Sequence, residues 1–139
     1  MTVRVQLVGR NNRVIEASDN GELAMAPIEY STGKFNNMDL VDTAYNFHTP
    51  TTGKRFVITG FIIAANRNVG VNGATIEFYE ATAVDTITVD ETILQLDMAK
   101  NDILPIIGTN LIIREGFFLN GKTDDDDVLA TILGYEVDA

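Results

Sequence analysis

The chain has no cysteine and no tryptophan, one histidine and three prolines among its 139 residues. Without cysteine there is neither a disulfide nor a thiolate metal site. His48 has no second histidine to share a metal with, so the usual catalytic zinc set is not assembled, and no metal or other cofactor is expected. Serine is scarce as well: Ser18 and Ser31 are the only two, and neither lies in a Gly-x-Ser-x-Gly elbow. A Ser-His-Asp triad would need one of these loop serines beside His48, and nothing in the spacing joins them. The missing tryptophan removes the commonest stacking platform for sugars. Tyr30, Tyr45, Tyr79 and Tyr135 remain, but Tyr79 and Tyr135 fall inside strand patterns, as core or sheet-surface residues.

Long apolar runs are missing too. None approaches the roughly 20 residues of a membrane-spanning helix. Met1 to Arg10 alternates polar and apolar residues and lacks the continuous apolar stretch of a secretory signal. No Asn-x-Ser/Thr sequon occurs. The expectation is a soluble product of a cytoplasm with no membrane partner.

Positive charge is in short supply, and unevenly. Residues 1–55 hold six bases and six acids, whereas residues 56–139 hold Arg67, Lys100, Arg114 and Lys122 against fourteen acids, so the whole excess of −10 lies in the second part. Such a surface repels phosphate backbones, and nucleic acid is not an expected partner. Arg4, Arg10 and Arg13 precede the first acid, which makes the N-terminus a basic segment on an acidic body. It reads either as a solvated edge strand or as a docking arm for an acidic partner.

What is present is strand-forming sequence. Gly53 to Ala65 is the longest apolar run and carries no charge after Arg55. Its β-branched residues and mid-run Gly60 disfavour a helix. As a regular strand it would place Phe56, Ile58 and Ile62 on one face and Val57, Phe61 and Ile63 on the other. Both faces are apolar, as in a strand covered on both sides.

Along the chain, Thr2–Val8 alternates, Gly9-Arg10-Asn11-Asn12 turns, and Arg13–Ala17 returns, which predicts a hairpin. Pro27 makes the segment Leu23–Tyr30 an edge or an arm. Ser31–Asp42 shows no sustained period and reads as a linker-like loop. Phe35 and Met38 stand out in it, either as a satellite cluster under the loop or as anchors at a partner surface. From Thr43 on, strands follow at sandwich spacing. Asn72-Gly73 marks a turn before a strand at Ala74–Ala81, with Ile76 and Phe78 inward and Thr75 and Glu77 outward. Thr82–Glu91 is an acidic loop with room for a short strand at Thr86–Thr88. Thr92–Ala99 alternates most cleanly, with Leu94, Leu96 and Met98 inward. Short strands follow at Ile103–Ile107, Leu111–Arg114 and Phe117–Asn120. Gly121–Asp127 is read as the turn into a second central strand, Val128–Val137.

The expected architecture is therefore all-β, without a helix. Residues 1–42 form an N-terminal hairpin and arm, and residues 43–139 form a jelly-roll-like antiparallel β-sandwich.

Three stretches carry a family resemblance: Gly-Lys-Arg-Phe-Val-Ile-Thr-Gly-Phe at 53–61, Ile-Glu-Phe-Tyr-Glu-Ala at 76–81, and Val-Leu-Ala-Thr-Ile-Leu-Gly-Tyr-Glu-Val at 128–137. They resemble the small virion structural proteins of tailed bacteriophages, over Thr43 to Ala139 and more loosely at Val3–Arg10. The resemblance implies a jelly-roll body with an N-terminal attachment segment, in a head decoration (cement) protein or a short fibre. It further implies a homotrimer, the phage major capsid protein as partner, location in the virion after synthesis in the bacterial host cytoplasm, and no enzymatic activity. Charge asymmetry then nominates Arg4, Arg10 and Arg13 for polar contacts to the capsid and Val3, Val5 and Leu7 for apolar ones. The alternative is a head-fibre or tail adhesin that binds a host surface glycan through loops at one end.

Two acidic constellations complete the survey. Asp124-Asp125-Asp126-Asp127 offers hard oxygen ligands that suit calcium, with Asp85, Asp90 and Glu91 as further donors. The run lacks the alternate spacing by which a loop wraps an ion, and a solvated turn is the favoured reading. The paired carboxylates of a glycosidase would have to come from twenty acids whose separations the sequence does not give.

Overall fold

The computed structural model describes residues 7–8, 14–15, 32–66 and 69–139. The chain divides at Tyr30/Ser31 into two units. In the first, β1 (Leu7–Val8) pairs antiparallel with β2 (Val14–Ile15), Leu7 opposite Ile15 and Val8 opposite Val14; the rest of the expected hairpin, Thr2–Val8 with Arg13–Ala17, lies outside the described residues.

The second unit is a sandwich of eight strands: β3 (Thr32–Met38), β4 (Tyr45–His48), β5 (Lys54–Ala65), β6 (Ala74–Ala81), β7 (Glu91–Met98), β8 (Ile103–Ile113), β9 (Phe118–Thr123) and β10 (Val128–Asp138). One sheet runs β3-β10-β5-β8 and the other β4-β9-β6-β7, with every described pairing antiparallel. Strands cross between the sheets at every step except β6 to β7, which is the jelly-roll order. The expected fold class is thus the observed one.

The two strands with the strongest apolar sequence, β5 and β10, are the centre of the first sheet and pair along their length. Their inner side chains meet those of the second sheet. Phe61 of β5 lies 5.2 Å from Phe78 of β6, which stacks edge-on against Phe47 of β4 at 5.3 Å. Such offset and T-shaped pairs suit the quadrupoles of the rings.

Five expectations are corrected. Ser31–Asp42 is not a linker: Thr32–Met38 forms β3, an edge strand paired with β10. The sandwich therefore includes residues that the 1–42/43–139 division left outside it. Its weak periodicity follows from its position, since a strand paired on one side needs few apolar residues. Second, the alternation in β5 breaks at a bulge: Leu133 and Gly134 of β10 stand opposite Gly60 and Ile58, so Thr59 is the extra residue. The bulge turns Phe61 and Ile63 inward with Phe56 and Ile58 and sends Ile62 outward. Third, Ile103–Ile113 is one strand. Ile58 faces Leu111 and Gly60 faces Ile107, so Gly108-Thr109-Asn110 loops out within β8. Gly108 takes a φ of +80°, where other residues are strained, and the Thr109 hydroxyl donates to the Ile58 carbonyl at 2.9 Å. Fourth, Gly121-Lys122-Thr123 belongs to β9, and the turn is confined to Asp124–Asp127. Fifth, Thr86–Thr88 forms no strand.

Gly134 shows how tightly the bulge is packed. A Cβ there would lie 2.4 Å from the Phe56 ring and 2.4 Å from the Val57 carbonyl oxygen.

Candidate interaction surface

Because β8 lies at the edge of its sheet, its outer face has β5 on one side and no strand on the other. Alternation from the inward Ile106, Leu111 and Ile113 leaves Ile103, Pro105, Ile107 and Ile112 outward. Ile103 is 71% exposed, Ile107 77% and Ile112 45%; Ile62, opposite Pro105, is 41% exposed. From Phe56 to Asn66 and from Ile103 to Ile113 no residue is charged. The two strands thus form a charge-free ribbon with several bulky apolar side chains in water. A scattered exposed isoleucine means little, but a contiguous set marks a contact surface.

The other constellations are structural. Glu80, 1% exposed at the end of β6, accepts the backbone N–H of Arg114 at 2.7 Å and its guanidinium Nε–H at 2.6 Å. The same guanidinium reaches Asp90 at 2.5 Å and lies over the Phe117 ring, 4.1 Å from its centroid. Donating hydrogen bonds to Glu80 and to Asp90 raises the Arg114 pKa further. A signal for this clasp was present. Counting inward from Ile76 and Phe78 puts Glu80 inward too, and a buried acid requires a partner.

His48 of β4 and Glu136 of β10 link the two sheets, with Nε2 2.8 Å from Oε1. The imidazole stacks on Phe56 at 4.1 Å between centroids. Burial lowers the His48 pKa despite the opposing pull of Glu136, so the ring is neutral at pH 7 and donates Nε2–H. Burial alone would raise Glu136, but the Thr51 N–H and His48 outweigh it and lower its pKa. Held this way, the histidine braces β4 against β10.

The acidic loop folds onto the outer face of the second sheet. Tyr79 donates its hydroxyl to the Thr86 carbonyl at 2.9 Å, and Asn120 Nδ2 donates to Ala83 at 2.9 Å. Burial, with Glu77 nearby, pushes the Tyr79 phenol up to about 12. Beside this strap lies an open groove of about 210 Å³ bordered by Thr75, Glu77, Gln95, Lys122 and Asp124. It is smaller than the roughly 300 Å³ at which small-molecule sites begin. Within it Lys122 pairs with Glu77 at 3.1 Å, and Asp42 also borders it.

Three carboxylates of the four-acid turn accept hydrogen bonds from other segments, two from backbone N–H groups and one from a side-chain amide. Asp124 accepts from Thr75 N at 2.6 Å, Asp125 from Gly70 N at 2.8 Å, and Asp127 from Asn66 Nδ2 at 3.1 Å. The Gly70 N–H, with that of Asp126, lowers the Asp125 pKa. Among the described residues no group of three or more His, Cys, Asp or Glu could hold a metal ion.

The residues nominated from sequence fare as follows. Val3, Arg4, Val5, Arg10 and Arg13 lie outside the described residues, and Leu7 is placed only as a member of β1. Phe35 is in β3 with its backbone opposite Thr131. Met38, expected in a loop, is a fully buried member of the sandwich core, so it is not a partner anchor. The ribbon itself was missed, because strict alternation along Gly53–Ala65 implied burial on both faces. The run Ile-Leu-Pro-Ile-Ile, with a proline that only an edge tolerates, was the available signal.

The chain matches no family model, no curated protein and no solved structure.

Proposed function

We propose that this chain is a non-enzymatic virion structural protein of a tailed bacteriophage, of the head decoration type. In this role the sandwich is a homotrimeric body, and the N-terminal segment carrying Arg4, Arg10 and Arg13 holds it to the major capsid protein. The protein is made in the bacterial host cytoplasm and ends in the virion. The observation that carries the proposal is the charge-free apolar ribbon on an otherwise acidic jelly roll, a surface suited to assembly rather than to a small substrate. The resemblance of the strand sequences at 53–61, 76–81 and 128–137 to such proteins supports the same reading.

The mechanism is linkage. A protein that binds neighbouring capsid subunits only in the assembled lattice stabilises that lattice by mass action, against the pressure of packaged DNA. Apolar burial supplies the affinity, and the basic N-terminal residues orient the contact.

The test is co-sedimentation with heads of the encoding phage that lack the protein, in parallel with binding to host cells and purified host glycans. Binding to heads alone, weakened when Arg4, Arg10 and Arg13 are replaced by Ala, is the expected result. Binding to cells or glycans without binding to heads replaces this reading with that of a fibre or adhesin.

A further inference from the structure

We propose that the outer face of β5 and β8 is a self-association surface whose occupant is a second copy of this chain. The inference rests on the homo-oligomeric reading above and gives it a place in the fold.

Comparison of the four sheet edges singles out β8. The β3 edge carries Lys34, β4 is four residues long, and β7 carries Glu91 and Asp97. Charge and shortness are the devices by which edge strands are kept from associating. β8 has eleven residues and no charge, in a chain whose residues are 22% charged.

Charge also selects the partner. Two copies of a chain at −10 repel, and contacts through the acidic loop or the four-acid turn would set carboxylates against carboxylates. The ribbon from Phe56 to Asn66 and Ile103 to Ile113 is the part of the sheet that a copy can meet without that cost. Its ends are rimmed by charges of both signs, Lys100 and Asp102 before β8 and Arg114 and Glu115 after it. An apolar centre with a polar rim is the usual anatomy of a stable contact.

The geometry further specifies how the copies meet. Pro105 has no N–H to offer, and the bulge at Gly108–Asn110 interrupts the strand. A continuous intermolecular ladder along β8 is therefore blocked. The copies meet by packing Ile62, Ile103, Ile107 and Ile112 across the interface, not by adding strand to strand.

The absence of cysteine makes the test direct, since Ile107→Cys in the full chain creates its sole thiol. Mild oxidation should convert this variant to covalent dimers, whereas Val71→Cys, an exposed loop position, should not. The double variant Ile103→Glu/Ile107→Glu should run as a monomer at concentrations where the wild type is oligomeric, with its strand circular dichroism retained. If that variant fails to fold, the cross-link remains the readout. An oligomer that survives the double substitution, together with no Ile107→Cys dimer, overturns the inference. So does a monomeric wild type, whether its Ile107→Cys thiol reacts with a maleimide or resists it. Head binding is scored separately. Oligomers joined through Ile107 that ignore heads leave this surface standing and remove the decoration role, and head binding without cross-linking does the reverse.

Discussion

Glu80 and Arg114 grip one another where β6 meets the end of β8, the carboxylate receiving both the backbone and the guanidinium N–H of the same residue. The acid is buried and the base half in water, so the two ends of the pair are not equivalent. Removing the exposed partner strands a buried carboxylate, whereas removing the buried one releases a cation that water can solvate.

Glu80→Gln should therefore cost about 1.5–3 kcal/mol, the range for losing a hydrogen bond to a charged group. Arg114→Met should destabilise more than Glu80→Gln, in urea melts at pH 7. The reverse order would mean that Asp90 and Phe117, not Glu80, hold the arginine in place.

The His48–Glu136 brace predicts an acid-sensitive fold. His48 has a lowered pKa in the folded chain, so below about pH 6.5 the unfolded chain takes up the proton first and stability falls. Glu136 also has a lowered pKa; its contribution is complete above about pH 4.3 and is lost as pH drops through its folded value. Both effects have the same sign. The melting temperature should be level from pH 8 to 7 and decline below 6.5, and His48→Gln should remove the first part of that decline and leave the second.

The bulge at Thr59 makes neighbours in sequence opposite in consequence. Phe61→Ala removes a ring buried against Phe78 and should cost about 3–5 kcal/mol. Ile62→Ala, one residue on, should cost under about 1 kcal/mol in the monomer because its side chain is exposed. Equal losses at the two positions would refute the register.

Since the carboxylates of Asp124, Asp125 and Asp127 are occupied by Thr75, Gly70 and Asn66, the four-acid turn should be indifferent to metal. Millimolar calcium and a chelator should leave the melting temperature unchanged. A rise with calcium that Asp125→Asn abolishes would restore the ion-binding reading of this run.

The fold was legible because strands paired on both sides need apolar residues, and Gly53–Ala65 and Val128–Val137 display them. β3 was hidden because an edge strand can be polar: Thr-Gly-Lys-Phe-Asn-Asn-Met looks like loop until its partner β10 is in view. Bulges were hidden for a different reason. An extra residue such as Thr59 is registered only against the opposing strand, and alternation read along one strand cannot detect it. The ribbon on β5 and β8 was lost through the same error, since Ile62 was assigned to the side of Phe56.

β10, which follows the other strands of the sandwich in sequence, fills the gap between β3 and β5. Until it arrives the first sheet lacks its centre, and β3 has no strand to pair with across about 90 intervening residues. Closure of the body therefore waits for this strand, while β5, made before it, has its apolar faces uncovered. A sheet built this way depends on prompt closure by β10, and its risk of aggregation is greatest before that strand pairs.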